Sequence, residues 1–239
     1  LWIDRVFAAR GSGTVVTGTL TGGSVSVGDH LEVLSERSVE PVRIRAIQTL
    51  GHPVERLLPG QRAALNLVGI EHSAVRRGDC LVNVKQWRPT ERFDASLDVL
   101  GSLDHEVSRR GAYVAYIGSG ESHVRIRVLG PDTIAPGARG QIRIHLAHPF
   151  PLLPGDRFVL RESGRNETVG GGEVLDVAPV RPASKAQPDR SVERVIAERG
   201  WVDVDDLEAM TGVRCEPTLG RWVVTEVELD RVRDLLREQ

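Results

Sequence analysis

Apolar residues along the first 180 positions alternate with polar ones in short runs, a period of two that marks half-buried β-strands. Trp2–Ala8, Thr14–Leu20, His30–Leu34, Val42–Thr49, Arg62–Val68 and Cys80–Val84 read as one series of strands. A second series begins after Lys85-Gln86-Trp87-Arg88-Pro89 and includes Arg92–Val99, Tyr113–Ile117, Val124–Leu129, Gln141–Leu146, Phe158–Arg161 and Glu173–Val177. Many short strands separated by Gly-containing turns predict barrels or sandwiches. One turn recurs. Pro59-Gly60-Gln61-Arg62, Pro136-Gly137-Ala138-Arg139 and Pro154-Gly155-Asp156-Arg157 share Pro-Gly followed two residues later by Arg, and Val27-Gly28-Asp29-His30 is a relative without the Pro. Pro presets the first central position of a type II turn, and Gly supplies the positive φ of the second.

Near residue 181 the pattern changes. Arg181-Pro182-Ala183-Ser184-Lys185-Ala186-Gln187-Pro188 is polar and Pro-containing, and the periodicity after it is helical. Ser191 is placed to cap a helix carrying Val192, Val195 and Ile196, with Gly200 as its stop. Asp203 caps a second with Val204 and Leu207 inward and Gly212 as its end, Arg221–Thr225 reads as a strand, and Leu229, Val232, Leu235 and Leu236 form a third helical stripe. The predicted fold is mainly β: barrels over 1–86 and 87–179, a linker over 180–188, and a partial α/β winged-helix segment over 189–239.

Composition changes the picture in three ways. Aromatic residues are 4% of the 239, too few for a protein that grips single strands by stacking bases on rings. No apolar run approaches the roughly 20 residues needed to span a bilayer, no signal-peptide pattern opens the chain, and Leu1-Trp2-Ile3-Asp4 begins like a strand already under way, so the chain is expected to be a fragment of a longer, cytoplasmic protein. The net charge of −2 is unevenly spread: residues 189–239 hold 8 Arg against 13 acidic residues, whereas residues 1–188 carry a net +3. A polyanionic partner is therefore expected on the barrels, because phosphate binding rests on Lys and Arg releasing counterions.

Catalytic chemistry is not legible. No GxxxxGK[ST] loop occurs. Gly11-Ser12-Gly13-Thr14 leads into a β-type run and Gly170-Gly171-Gly172 precedes a strand, so neither offers a helix N-terminus to phosphate; turns with positive φ are the expected reason for both. The seven histidines lack metal-binding spacing, and Cys80 and Cys215 lie far apart, which suits small apolar residues in a reducing compartment. The chain as given is expected not to be an enzyme.

The joint pattern carries more information than any part of it. Ile3-Asp4-Arg5-Val6-Phe7, Gly11-Ser12-Gly13-Thr14-Val15-Val16-Thr17-Gly18-Thr19-Leu20, Val42-Arg43-Ile44-Arg45-Ala46-Ile47-Gln48 and Pro59-Gly60-Gln61-Arg62-Ala63-Ala64-Leu65 resemble the second domain of translational GTPases. The likeness continues more loosely over 92–178, notably in Asp156-Arg157-Phe158-Val159-Leu160-Arg161 and Thr168–Asp176. In elongation factor Tu and its relatives these segments are two consecutive β-barrels. The helical continuation, with Gly200-Trp201-Val202 and Gly220-Arg221-Trp222-Val223-Val224, is similar to the winged-helix repeats that selenocysteine-specific elongation factors add after the barrels.

That resemblance implies selenocysteinyl-tRNA and the ribosome as partners. It also implies a messenger-RNA hairpin gripped by distal winged-helix domains, no membrane, no cofactor in this chain, and GTP with Mg2+ in a GTPase domain of the full protein. It puts Asp4, Arg5 and Arg62 around the selenocysteinyl group. Read without it, Asp4 and Arg5 are an exposed strand pair and Arg62 another Arg after a Pro-Gly turn. Neighbours on a regular strand also point to opposite faces, so Asp4 and Arg5 share a pocket only at a bulge or strand end. On the second barrel, His123, Arg125, Arg127, Arg143 and His145 alternate with apolar residues and are expected to face outward, where the family's tRNA contacts lie; an ordinary solvated face explains the same alternation. The alternatives are a general aminoacyl-tRNA or initiator-tRNA carrier and a β-barrel adaptor without tRNA.

Overall fold

The computed structural model describes residues 1–9, 13–84 and 86–237, and the chain divides into two compact units. Gly11, Ser12 and Lys85 of the sequence reading lie outside the described residues. The first unit comprises residues 1–89 with 116–122 and 148–151; the second comprises the rest.

The first unit contains β1 (Trp2–Ala9), β2 (Gly13–Thr19), β3 (Val25–Ser26), β4 (His30–Leu34), β5 (Val39–Thr49), β6 (His52–Val54), β7 (Arg56–Leu57), β8 (Arg62–Val68) and β9 (Cys80–Asn83). Hydrogen bonding runs β4-β9-β1-β2-β8-β5, and β4 pairs back onto β5, so six strands close a barrel and β6 extends it as a hairpin. Closure pairs the edges that an open sheet of these six strands would expose. The alternation is visible in the burial: Ile3, Val16, Ile44, Ile47 and Leu65 point inward and are 1% exposed or less. The strands β3, β6 and β7 carry two or three residues each, too few to display a period.

A second barrel follows the same logic with β10 (Thr90–Val99), β11 (Val107–Ser108), β12 (Tyr113–Ile117), β13 (Gly120–Leu129), β14 (Thr133–Ile134), β15 (Arg139–Phe150), β16 (Arg157–Glu162) and β17 (Glu167–Asp176). These close as β10-β15-β13-β12-β16-β17, with β11 and β14 forming a separate short ladder. Phe93, Leu97, Ile142, Ile144 and Leu160 fill the interior. All four recurring turns close with the expected backbone bond, for example Gln61 N to Leu58 O at 3.2 Å and Asp156 N to Leu153 O at 3.1 Å.

Gly170-Gly171-Gly172 needs a correction. They lie inside β17 without positive φ, and what they provide is closeness of backbones. A Cβ at Gly172 would sit 1.8 Å from Ser96 O, and one at Gly170 2.2 Å from Asp98 O. The absent side chains let β17 press against β10.

After β17 the chain forms α1 (Val192–Arg199), β18 (Trp201–Asp203), α2 (Val204–Thr211), β19 (Trp222–Val224) and α3 (Glu226–Arg237). Ser191 caps α1 by accepting from Arg194 N, Asp203 caps α2 by accepting from Asp205 N and Asp206 N, and Gly200 and Gly212 end the two helices. The strand β18 is an addition to the sequence expectation: three residues between a stop glycine and a cap show no pattern until β19 pairs with them. No helix among the described residues is long and apolar enough to cross a membrane.

Candidate functional site

The geometry around Asp4 turns on a bulge. In the β1–β2 ladder Ile3 pairs with Gly18 and Arg5 with Thr17, so Asp4 is the extra residue and the register shifts across it. Directly opposed residues of an antiparallel pair share a face. Arg5 therefore lies on the face of Thr17, which is the outer one because Val16 is buried in the core. Asp4 reaches the same face, since its carboxylate accepts from Thr17 Oγ1. A bulge thus removes the strict alternation that would have parted Asp4 from Arg5. Gly18 makes it fit: a Cβ there would lie 2.2 Å from Trp2 O.

Arg62 opens β8, with Thr19 as its partner on β2, and its guanidinium grips Asp4 in a fork. Nη1 donates to Asp4 Oδ2 and Nη2 donates to Oδ1 at 3.0 Å. Thr49 Oγ1 donates to the Arg62 carbonyl at 3.0 Å and ties β5 to the same corner. Burial opposes ionisation of Asp4. The hydrogen bonds from Arg62 and Thr17, with the charges of Arg62 and Arg5, outweigh it and hold the pKa below the ordinary carboxylate value. Hydrogen bonding to Asp4 and its charge raise that of Arg62. Arg5 is exposed and has no ion-pair partner among the described residues. The three groups sum to one net positive charge on a surface patch. Sequence reasoning named all three; it missed Thr17 and Thr49, whose hydroxyls carry no signal in a strand pattern.

On the second barrel, His123, Arg125 and Arg127 of β13 are exposed, as the alternation predicts. Arg143 is not. It points away from the core but is buried, with Nε 2.6 Å from Asp94 Oδ1 and Nη2 2.8 Å from Asp94 Oδ2. The period identified the face correctly and the solvent wrongly. Hydrogen bonds tie residues 176–199 to that side of the barrel: Arg92 Nη2 donates to Pro179 O, and Gln141 Nε2 donates to Pro188 O, each at 2.9 Å. Arg194 Nη1 lies 2.9 Å from Asp176 Oδ2 and 2.8 Å from Glu198 Oε2, and Arg199 Nη2 donates to Ala178 O. His145, opposite Arg125 on the ladder, is half-buried. Burial, and then the charges of Arg92, Arg125 and Arg143, lower its pKa, so at neutral pH it adds no charge to the surface.

A third cluster had no sequence signal. His105 is half-buried between two carboxylates, with Nδ1 2.9 Å from Asp104 Oδ1 and Nε2 2.8 Å from Glu162 Oε2, while Arg165 Nη1 lies 3.1 Å from Asp104 Oδ1. No group of three His, Cys, Asp or Glu side chains among the described residues is placed to hold a metal.

Comparison with known proteins gives a consistent picture. The family described as elongation factor Tu domain 2 matches residues 13–82, and the β-barrel domain of selenocysteine-specific elongation factor matches residues 97–181. A selenocysteine-specific elongation factor from Desulfomicrobium baculatum is 30% identical over 174 residues, 73% of this chain and 27% of that protein. The one from Escherichia coli is 32% identical over 221 residues, 86% of this chain and 34% of that protein. Elongation factor Tu 2 from Streptomyces avermitilis is 34% identical over 185 residues, covering 73% of this chain and 45% of its own length. The chain thus spans less than half the length of each of these relatives. A crystal structure of a bacterial selenocysteine-specific elongation factor, EF-Sec, superposes with a TM-score of 0.76 at 21% identity, over 99% of this chain and 41% of that one. That likeness supports the fold.

Proposed function

We propose that the chain is part of a selenocysteine-specific elongation factor, the family whose β-barrel domain matches residues 97–181, and that the Asp4–Arg5–Arg62 patch recognises the selenocysteinyl group at the end of its tRNA. The observation that carries the proposal is the bulge at Asp4, which gathers one carboxylate and two guanidiniums on one face. A selenol loses its proton more readily than a thiol, whose free pKa is about 8.5, so at neutral pH selenocysteine is largely an anion. Serine on the same tRNA is neutral. A patch of net charge +1 is neutralised by the selenolate and left uncompensated by a hydroxyl. Arg5 meets the anion directly, while Asp4 holds Arg62 in place through the forked bond.

The exposed side chains of His123, Arg125 and Arg127 then serve as contacts to tRNA phosphates. Arg143 drops out because it is buried against Asp94, and His145 because it is half-buried and neutral. In this reading GTP and Mg2+ are handled by a GTPase domain of the full protein, the ribosome receives the tRNA for UGA recoding, and the setting is the cytoplasm. The segment 189–237, with Arg the only cation among its many carboxylates, spaces further winged-helix domains that hold the messenger-RNA hairpin.

The test is protection of the aminoacyl ester from hydrolysis. The product of the whole reading frame that encodes these residues would be mixed with GTP and either selenocysteinyl- or seryl-tRNA of one tRNA body. Protection of the selenocysteinyl ester alone, lost in Arg5→Ala and Arg62→Ala, is the expected result. Equal protection of both esters would make the protein a general aminoacyl-tRNA carrier, the reading that the elongation factor Tu relative favours. Protection of neither would leave a barrel adaptor without tRNA.

A further inference from the structure

The charged patch has a fourth member that bears no charge. We propose that Thr17 is the positioning residue of the patch: its hydroxyl fixes the Asp4 carboxylate, and through it the Arg62 guanidinium, in the orientation that faces a bound selenolate. This rests on the function proposed for Asp4, Arg5 and Arg62 and adds to it the group that sets their geometry.

The case begins with Asp4. As the extra residue of a bulge it lacks a ladder partner on β2, so its backbone is held less tightly than its neighbours and its short side chain needs another constraint. Two are present. Oδ1 accepts from Thr17 Oγ1 on one side and from Arg62 Nη2 on the other, while Oδ2 accepts from Arg62 Nη1. Three donors on two oxygens fix the plane of the carboxylate. Because the Arg62 fork is planar, fixing the carboxylate fixes the guanidinium as well. Arg62 commits two of its five N–H groups to this fork, which leaves the others for a ligand.

Thr17 is itself well held. It follows Val16, which is fully buried, and precedes Gly18, where β1 and β2 approach too closely to admit a Cβ. Its ladder partners are Arg5 on one side and Ala64 on the other. A β-branched side chain on a strand has restricted χ1, so the hydroxyl is directed without a large entropy cost. Arg62 is more than half exposed and its long side chain is mobile by nature; the rigid partner in this trio is Thr17. Without the hydroxyl, Asp4 keeps only the fork to Arg62, and carboxylate and guanidinium can swing together away from the orientation that faces the ligand. Because Thr17 is neutral, its removal leaves the net charge of the patch at +1, so any loss of discrimination reports orientation.

Two substitutions test this. Thr17→Val keeps the shape and removes the donor, and Thr17→Ser restores the donor on a smaller side chain. In the ester-protection assay, Thr17→Val should lower the preference for the selenocysteinyl over the seryl ester by roughly tenfold, the scale of one hydrogen bond to a charged group. Thr17→Ser should recover most of it. A second readout is the Asp4 carboxyl carbon followed by NMR during an acid titration: its midpoint should rise in Thr17→Val and return in Thr17→Ser. If Arg62→Ala abolishes the preference while Thr17→Val leaves both it and the Asp4 midpoint unchanged, the proposal for Thr17 fails and the recognition patch stands. Equal weakening of both esters by Thr17→Val would assign Thr17 to the fold alone and also overturn it. If neither Thr17→Val nor Arg62→Ala alters the preference, the recognition patch itself is wrong.

Discussion

His105 shows how much one side chain can draw from its neighbours. Its ring nitrogens meet Asp104 and Glu162, and Arg165 lies against the same carboxylates. The hydrogen bond to Asp104 raises its pKa; partial burial and the Arg165 charge oppose this, and the hydrogen bond and charge of Glu162 add to the rise. The sign follows. A histidine whose folded pKa exceeds its unfolded value of about 6.5 adds stability that is complete below that value and is lost as pH rises through the folded pKa. Ring-proton NMR should show His105 titrating above the unfolded value, and the denaturation midpoint should fall across that interval. The fall should shrink in His105→Gln, and a His105 titration at or below the unfolded value would exclude the effect. The cluster was not legible in the sequence, because Glu162 and Arg165 reach the neighbours Asp104 and His105 only by the return of the chain through β16.

At the scale of elements, the outer faces of the strands divide in a way that alternation does not reveal. In the second barrel, β13 and β15 carry Arg at ladder-paired positions 127 and 143, yet Arg127 is exposed and Arg143 is buried. The difference lies outside the two strands, in Asp94 on β10 and in the segment after β17. A buried ion pair loses much of its Coulombic gain to desolvation, while removing one partner strands the other charge in a poor solvent. Arg143→Ala or Asp94→Ala should therefore cost about 3–5 kcal/mol in urea unfolding. The pair replaced together by Met and Leu should lose much less. Single variants that unfold like the parent would show that water reaches the pair. Gly170-Gly171-Gly172 gives the same lesson in glycines: a run readable as a turn is a strand that must lie against β10 without side chains.

For the whole molecule, charge distribution links the fold to the proposed function. The barrels carry the positive excess and the segment after residue 188 the negative one. If Arg125 and Arg127 meet tRNA phosphates, replacing both by Gln should weaken tRNA binding and lower the slope of log affinity against log salt by about one to two counterions. An unchanged slope would remove this face from the interface. The sequence by itself determined the two series of β-strands, their Pro-Gly turns and the caps of the first two helices after them, because each depends on local periodicity or on a residue's own backbone preference. It also supplied Asp4, Arg5 and Arg62 through a family pattern, and the condition that Asp4 and Arg5 share a pocket only at a bulge or a strand end. Only the tertiary structure decided that the strands close, that the bulge exists, that Thr17 donates to Asp4, that Arg143 is covered and that His105 is bracketed by carboxylates. Those outcomes depend on which backbone or side chain arrives from a distant part of the chain, and the period of a strand fixes the direction of a side chain without fixing what it meets.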